Sequence, residues 1–243
     1  MAACPLALIQ IVTDNIQKRY TIRHTMDISI LSAFTAMPYF TLQGFKQLAG
    51  EESMSAARAR IILHRWAKAG HIIQLKRGVY MTRQFHQAHG GDRNFSAAVS
   101  SILQPLSYTS LEFVLQSGNI LTEITHPVTA VTIKHTRSIE NRLGTFIFRH
   151  MRDEMYLGFT VSDQFGIPVA QATPAKALFD YLYFRPLAAF ARAARFNLAG
   201  ELRLNLEHLS PADREEFAGY VKMSRMTKMA DILDNLRRYV WRP

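Results

Sequence analysis

Between Pro38 and Met81 the sequence sets helix-starting and helix-stopping residues so close together that few arrangements satisfy them. Upstream, Asp27 can cap a helix through Ile28, Ile30, Leu31 and Phe34 that ends before Pro38, because the residue before a proline resists helical angles. Thr41 then caps a second helix over Leu42 to Ala49, in which Leu42, Phe45, Leu48 and Ala49 recur at helical spacing, and Gly50 stops it. A third helix starts at Ser53 or Ser55, either of which can cap it, and runs to Ala69 before Gly70. Two β-prone runs follow, His71 to Leu75 and Val79 to Met81, around Lys76-Arg77-Gly78, where Gly78 supplies the positive φ of a tight hairpin. Helix, short helix, turn, longer helix and hairpin is the element order of a winged helix-turn-helix.

The phase of the third helix assigns its sides. At 100° per residue Ala59, Ile62, Leu63 and Trp66 share the core face; Arg60, His64 and Lys68 lie opposite, with Arg58 and Arg65 on the flank. An outward cationic stripe on this helix is what contact with phosphates and base edges requires, and Lys76 and Arg77 add two cations at the hairpin tip. Ser53 and Ser55, near the helix N-terminus, are candidates for holding a phosphate or simply for capping. Ile61 also points outward, toward a thymine methyl, the wing or a partner subunit. The candidate DNA-binding residues are therefore Ser53, Ser55, Arg58, Arg60, His64, Arg65, Lys68, Lys76 and Arg77.

Charge distribution agrees with that placement. Of the net +10, residues 1–90 carry +7, and the remaining 153 residues carry only +3. Such asymmetry points to a polyanionic partner, double-stranded DNA before a membrane, since no basic amphipathic anchor with a Trp-rich face is present. At 48% hydrophobic residues the chain can bury a real core, which excludes a wholly disordered or collagenous protein. A single cysteine, Cys4, excludes a disulfide scaffold, and the chain shows neither a secretory signal nor a membrane-spanning run; a reduced, cytoplasmic location is expected.

The polar stretch Gln84 to Asn94 holds the only Gly-Gly pair and reads as a linker, which places residues 1–90 in a DNA-binding domain with an N-terminal extension and 91–243 in a second domain. In the second domain Asn94 to Leu103 reads as a helix, Tyr108-Thr109 as extended, and Ser110 as the cap of a short helix from Leu111 to Gln116. Strands are expected at Val128 to Lys134, Gly144 to His150, Tyr156 to Val161 and Ile167 to Ala172. Thr173-Pro174 opens a helix with Ala175, Leu178, Tyr181 and Leu182 as its core stripe, and Pro186 to Trp241 forms a helical tail with one helix opening at Ser210-Pro211. Strands in a run followed by helices define an α+β class.

A search for chemistry yields no catalytic constellation, cofactor site or metal site, so the chain does not read as an enzyme. His86 and His89 fall in the expected linker without a third ligand. A nuclease would have to use Asp163 or Asp180, but Asp180 stands four residues after Lys176, the spacing of an ion pair on a helix surface. Phe146 and Phe148 alternate on one strand and are read as core. Arg137, Arg142, Arg149, Arg152, Arg185, Arg192 and Arg195 form local basic groups that could face a partner or be dispersed surface charge.

Several segments in order carry a family likeness: Leu75-Lys-Arg-Gly-Val-Tyr80, Ser107-Tyr-Thr-Ser-Leu-Glu-Phe-Val-Leu115 with Gly118, Val128-Thr-Ala-Val-Thr-Ile-Lys134 leading to Thr136-Arg137, Ala172-Thr-Pro-Ala-Lys-Ala-Leu-Phe-Asp180, and Arg203-Leu-Asn-Leu206. Together they resemble the AbiEi-type antitoxin and transcriptional regulator family of type IV toxin–antitoxin systems, from about Phe40 to Leu236. The resemblance implies a winged helix-turn-helix repressor that binds inverted repeats in its own operator. It also implies a C-terminal domain that opposes a nucleotidyltransferase-type toxin, and no catalysis in the antitoxin. The family pattern has Pro-Glu-Lys where this chain has Pro174-Ala175-Lys176, and residues 1–25 lie outside the likeness. The alternative readings are a stand-alone winged-helix regulator without a toxin partner and a nucleic-acid-cleaving enzyme.

Overall fold

A computed structural model describes residues 30–50, 54–92, 94–123, 127–186 and 197–241. The cap at Asp27, Cys4, Ser53, Arg192 and Arg195 lie outside the described residues. The protein is of mixed α+β class and divides into two compact units, residues 1–90 and 91–243. No described helix is long and apolar enough to cross a membrane.

In the first unit, strand β1 (Phe40–Thr41) runs into helix α1 (Leu42–Leu48), where the Thr41 hydroxyl oxygen accepts from the Gly44 N–H. Helix α2 (Ala56–Lys68) follows; its cap is Ser55, which accepts from Arg58 N–H at 3.2 Å. Strands β2 (Ile72–Lys76) and β3 (Val79–Thr82) form an antiparallel hairpin, with β1 on the far side of β3. Gly78 takes a φ of 77° in the loop, a conformation that a Cβ would disfavour. Phe34, Phe40, Phe45, Ala59, Leu63, Trp66, Ile72 and Tyr80 form the core. The Phe34 and Phe40 rings stack at 4.3 Å, Phe40 stacks on Tyr80 of β3 at 5.7 Å, and Phe45 of α1 meets Trp66 of α2 edge-on at 5.4 Å.

The stretch expected to be a linker is largely helical. Helix α3 (Arg83–His89) is capped by Thr82, whose hydroxyl accepts from Phe85 N–H, and Phe85 is buried. One aromatic anchor and a threonine cap suffice to order a short helix whose other residues are polar. His86 and His89 consequently sit on a helix, and the His89 ring packs 4.5 Å from that of Phe85.

The second unit is built on a six-stranded mixed sheet. Helix α4 (Phe95–Leu103) precedes strand β4 (Ser107–Thr109), helix α5 (Leu111–Ser117) and strands β5 (Val128–Thr132), β6 (Arg137–Asn141), β7 (Gly144–His150), β8 (Phe159–Gln164) and β9 (Ile167–Ala172). The strand order is β6-β7-β5-β4-β9-β8, with β5/β7 and β4/β9 parallel and the other pairs antiparallel. Strand β6 has no counterpart in the sequence reading, because four of its five residues, Arg137, Ser138, Glu140 and Asn141, are polar on an edge that needs no buried face. The strand expected at Tyr156 begins instead at Phe159, since a 3₁₀ turn over Asp153–Met155 and a φ of 78° at Gly158 interrupt the extended path. Phe146 and Phe148 are buried, as core residues.

Helix α6 (Pro174–Phe184), capped by Thr173, packs between α5 and helix α8 (Pro211–Ser224); a short helix α7 (Leu198–Glu201) and helix α9 (Thr227–Tyr239) complete the layer. Every residue from Ala175 to Leu182 is buried, so α6 has no surface face in this stretch. Two expectations fall with that fact. Lys176 and Asp180 do pair, but both side chains are fully enclosed rather than on a helix surface. Ser110 precedes α5 without capping it; its hydroxyl donates to Asp180 Oδ2 at 2.7 Å, and the Tyr108 hydroxyl donates to the same oxygen at 3.0 Å.

The Lys176 ammonium also lies 5.5, 5.1 and 5.6 Å from the ring centres of Tyr108, Phe179 and Tyr220. Burial lowers the Lys176 pKa and raises that of Asp180, and the attraction between them opposes both shifts. Close approach is permitted by Gly158, where a Cβ would fall 2.2 Å from the Tyr220 hydroxyl. Removing only the cation would strand a buried carboxylate, so Lys176→Met should lower the unfolding free energy by about 3–5 kcal/mol in urea titration. Adding Asp180→Asn should recover part of that loss, because the amide oxygen still accepts from Ser110 and Tyr108 while no charge remains.

Candidate nucleic-acid interface

Helix α2 turns Ala59, Leu63 and Trp66 inward, with Ile62 half-buried beside them, and leaves Arg58, Arg60, His64, Arg65 and Lys68 exposed. The side assignment read from helical phase therefore matches the burial. From Ile30 to Gly90 the chain holds eight Lys and Arg, and its only acids are Glu51 and Glu52. Within α2 itself there is no carboxylate, so its cations have no neutralising neighbour on their own helix. Arg58, Arg60, Arg65, Lys68 and Arg77 make no ion pair with any described residue. Arg60 lies close enough to Tyr80 to favour its phenolate, yet burial dominates and raises the Tyr80 pKa.

Ser55 is exposed, and its oxygen accepts the Arg58 N–H as the cap; its hydroxyl hydrogen remains able to donate to a phosphate. Arg77 is exposed at the hairpin tip and Lys76 is half-buried at the end of β2. The tip is tied to the start of α1, because Leu42 N–H donates to the Gly78 carbonyl at 2.9 Å. Ile61 stands 54% exposed in the middle of the basic face, the one large apolar side chain there. The surface thus carries exposed cations around one exposed apolar side chain.

The arginines of the second unit are less uniform. Arg137 donates to the Leu103 carbonyl at 3.1 Å, Arg152 to that of Ser224 at 2.6 Å, and Arg185 to the Tyr181 hydroxyl, so three of the group serve the unit's own structure. Arg149 lies over the Phe184 ring at 5.8 Å, and Arg142 is exposed beside the β6–β7 turn. Asp163 is exposed and holds its own turn by accepting from Gly166 N–H, whereas Asp180 is enclosed by three donors. Among the described residues no group of three or more His, Cys, Asp or Glu is placed to hold a metal ion.

The sequence reading missed the convergence of Tyr108, Ser110, Lys176 and Asp180; the available signal was the Ser107-Tyr-Thr-Ser run together with the Lys-to-Asp spacing. No protein-family model matches the chain, and no curated protein is found to be similar to it. The cap at the head of the basic helix is directly testable. Ser55→Ala should lower the unfolding free energy by about 1 kcal/mol in denaturant titration.

Proposed function

We propose that residues 30–90 form a winged helix-turn-helix and that the protein is a cytoplasmic DNA-binding transcriptional repressor. The observation that carries this reading is the outward face of α2: Arg58, Arg60, His64, Arg65 and Lys68 exposed together, opposite a fully buried Ala59 and Leu63. In this reading α2 enters the major groove of double-stranded DNA N-terminus first. Ser55, Arg58, Arg60 and His64 lie nearest the bases and phosphates, while Lys68, Lys76 and Arg77 hold the backbone.

The likeness to AbiEi-type antitoxins extends the proposal: the protein represses its own operon at an operator with inverted repeats, and residues 91–243 oppose a nucleotidyltransferase-type toxin without catalysing a reaction. Supporting this, segments quoted for the likeness are neighbours in space. Ser107–Thr109 and Val128–Thr132 pair as β4 and β5, and Asp180, at the end of the Ala172–Asp180 segment, accepts from Tyr108 and Ser110 of the Ser107–Leu115 segment. Co-expression with a nucleotidyltransferase encoded in the adjacent reading frame should restore growth; persistent toxicity would leave the regulator alone.

Selection from randomised duplexes, followed by gel-shift titration, tests the DNA reading. If about four to six phosphates are neutralised, the log–log dependence of affinity on salt has a slope of about −4 to −5. Arg58→Ala with Arg60→Ala should weaken binding and flatten that slope by about 1–2 units. Unchanged affinity and slope would overturn the assignment of α2.

A further inference from the structure

In the second unit a cavity of about 310 Å³ opens between α5, β7 and the end of α6, lined by Leu111, Glu112, Arg149, Tyr181, Phe184 and Arg185. Its volume is within the range of small-molecule sites. Glu112 Oε2 is enclosed there and accepts no hydrogen bond from any described residue. Neither arginine makes an ion pair with it. Arg149 instead lies over the Phe184 ring, and Arg185 lies over the Tyr181 ring and donates to its hydroxyl. A carboxylate with a bare buried oxygen and two guanidinium groups thus share one concavity without satisfying one another, and each keeps hydrogen-bonding capacity for something else.

Both walls are held rigidly. Leu111 is buried at a φ of 59°, a strained conformation for a leucine. The strain is locked by its neighbours: Ser110 N–H donates to Thr129 O, the Thr129 hydroxyl donates to Ser110 O, and the Ser110 hydroxyl donates to Asp180. Asp180 sits on the same helix as Tyr181 and Phe184, and Arg185 follows directly at its end, so the buried Lys176–Asp180 pair positions both sides of the cavity.

We propose that this cavity is a binding site for a small ligand carrying an anionic group and an amino donor on one framework. The anion is taken by Arg149 and Arg185, whose planar forks suit carboxylate and phosphate, and the amino group donates to Glu112 Oε2. Phe184 and Leu111 receive the apolar part. An α-amino acid and a nucleoside monophosphate with an exocyclic amine both present this chemistry.

The full-length protein is titrated by calorimetry and thermal denaturation against two panels, the proteinogenic L-α-amino acids and the ribonucleoside monophosphates, up to millimolar concentration. At least one compound should raise Tm and release heat, and the panel to which it belongs identifies the source. Glu112→Gln and Arg149→Met should each weaken that binding about tenfold or more, whereas Arg237→Ala, on the separate groove between α8 and α9, should not. Without ligand, Glu112→Leu should leave Tm no lower than in the parent protein, because the enclosed oxygen it removes has no partner. Silence in both panels, binding indifferent to the two variants, or a fall in Tm for unliganded Glu112→Leu, would each overturn the proposal.

Discussion

An ammonium and a carboxylate taken out of water together lose hydration that their attraction only partly replaces, so a fully enclosed pair must be completed by further donors and acceptors. Lys176 and Asp180 meet that condition through Ser110, Tyr108 and three aromatic rings. The same atoms dictate the chain path. Ser110 can reach Asp180 only if β4 lies beside β9 and turns abruptly into α5, which is where Leu111 adopts its left-handed conformation. An apolar substitute for the pair could be equally stable, but it would not require that junction. The polar pair therefore specifies one register of helix against sheet, while the hydrophobic cluster around Leu178, Phe179 and Phe217 supplies the driving force.

The first unit follows a different logic. Its core is aromatic and its described residues include no Asp or Glu, so like charges crowd one helix: Arg65 and Lys68 stand three residues apart. Neighbouring cations at this spacing cost some tenths of a kcal/mol in isolation. Local stability would be better served by alternating signs. Covering such a face with a polyanion would relieve that repulsion, which is what the proposed DNA contact calls for.

How legible these features were depends on how local their causes are. Thr41, Ser55, Thr173 and Ser210 cap the helices expected of them, because a hydroxyl and an N–H three residues away suffice. The phase of α2 was readable since periodicity alone decides which side is apolar. By contrast Ser110 has the same local pattern as a cap, yet its hydroxyl serves a carboxylate 70 residues away, a competition no local rule resolves. Lys176 and Asp180 have surface spacing, and only the packing of α5 and α8 onto α6 encloses them. The cavity was hidden for the same reason. Arg149 and Arg185 were visible as basic residues, but Glu112 gained meaning only when α5 brought it opposite them.

Position 175 lies next to the lysine of the buried pair. The AbiEi-type pattern that the sequence resembles has a glutamate there, and in this chain Ala175 is completely buried against the apolar cluster of the second unit. A carboxylate at that position would be enclosed beside Lys176 and would compete with Asp180 for the same ammonium. Here the counter-charge comes from one helical turn later, where it also collects the hydroxyls of Tyr108 and Ser110. The lysine thus has a partner without a glutamate at 175, and the negative charge lies toward β4. That placement ties the helix to the strand–helix junction forming the wall of the cavity, so what reads in the sequence as a surface ion pair is, in the fold, a pair with a longer reach.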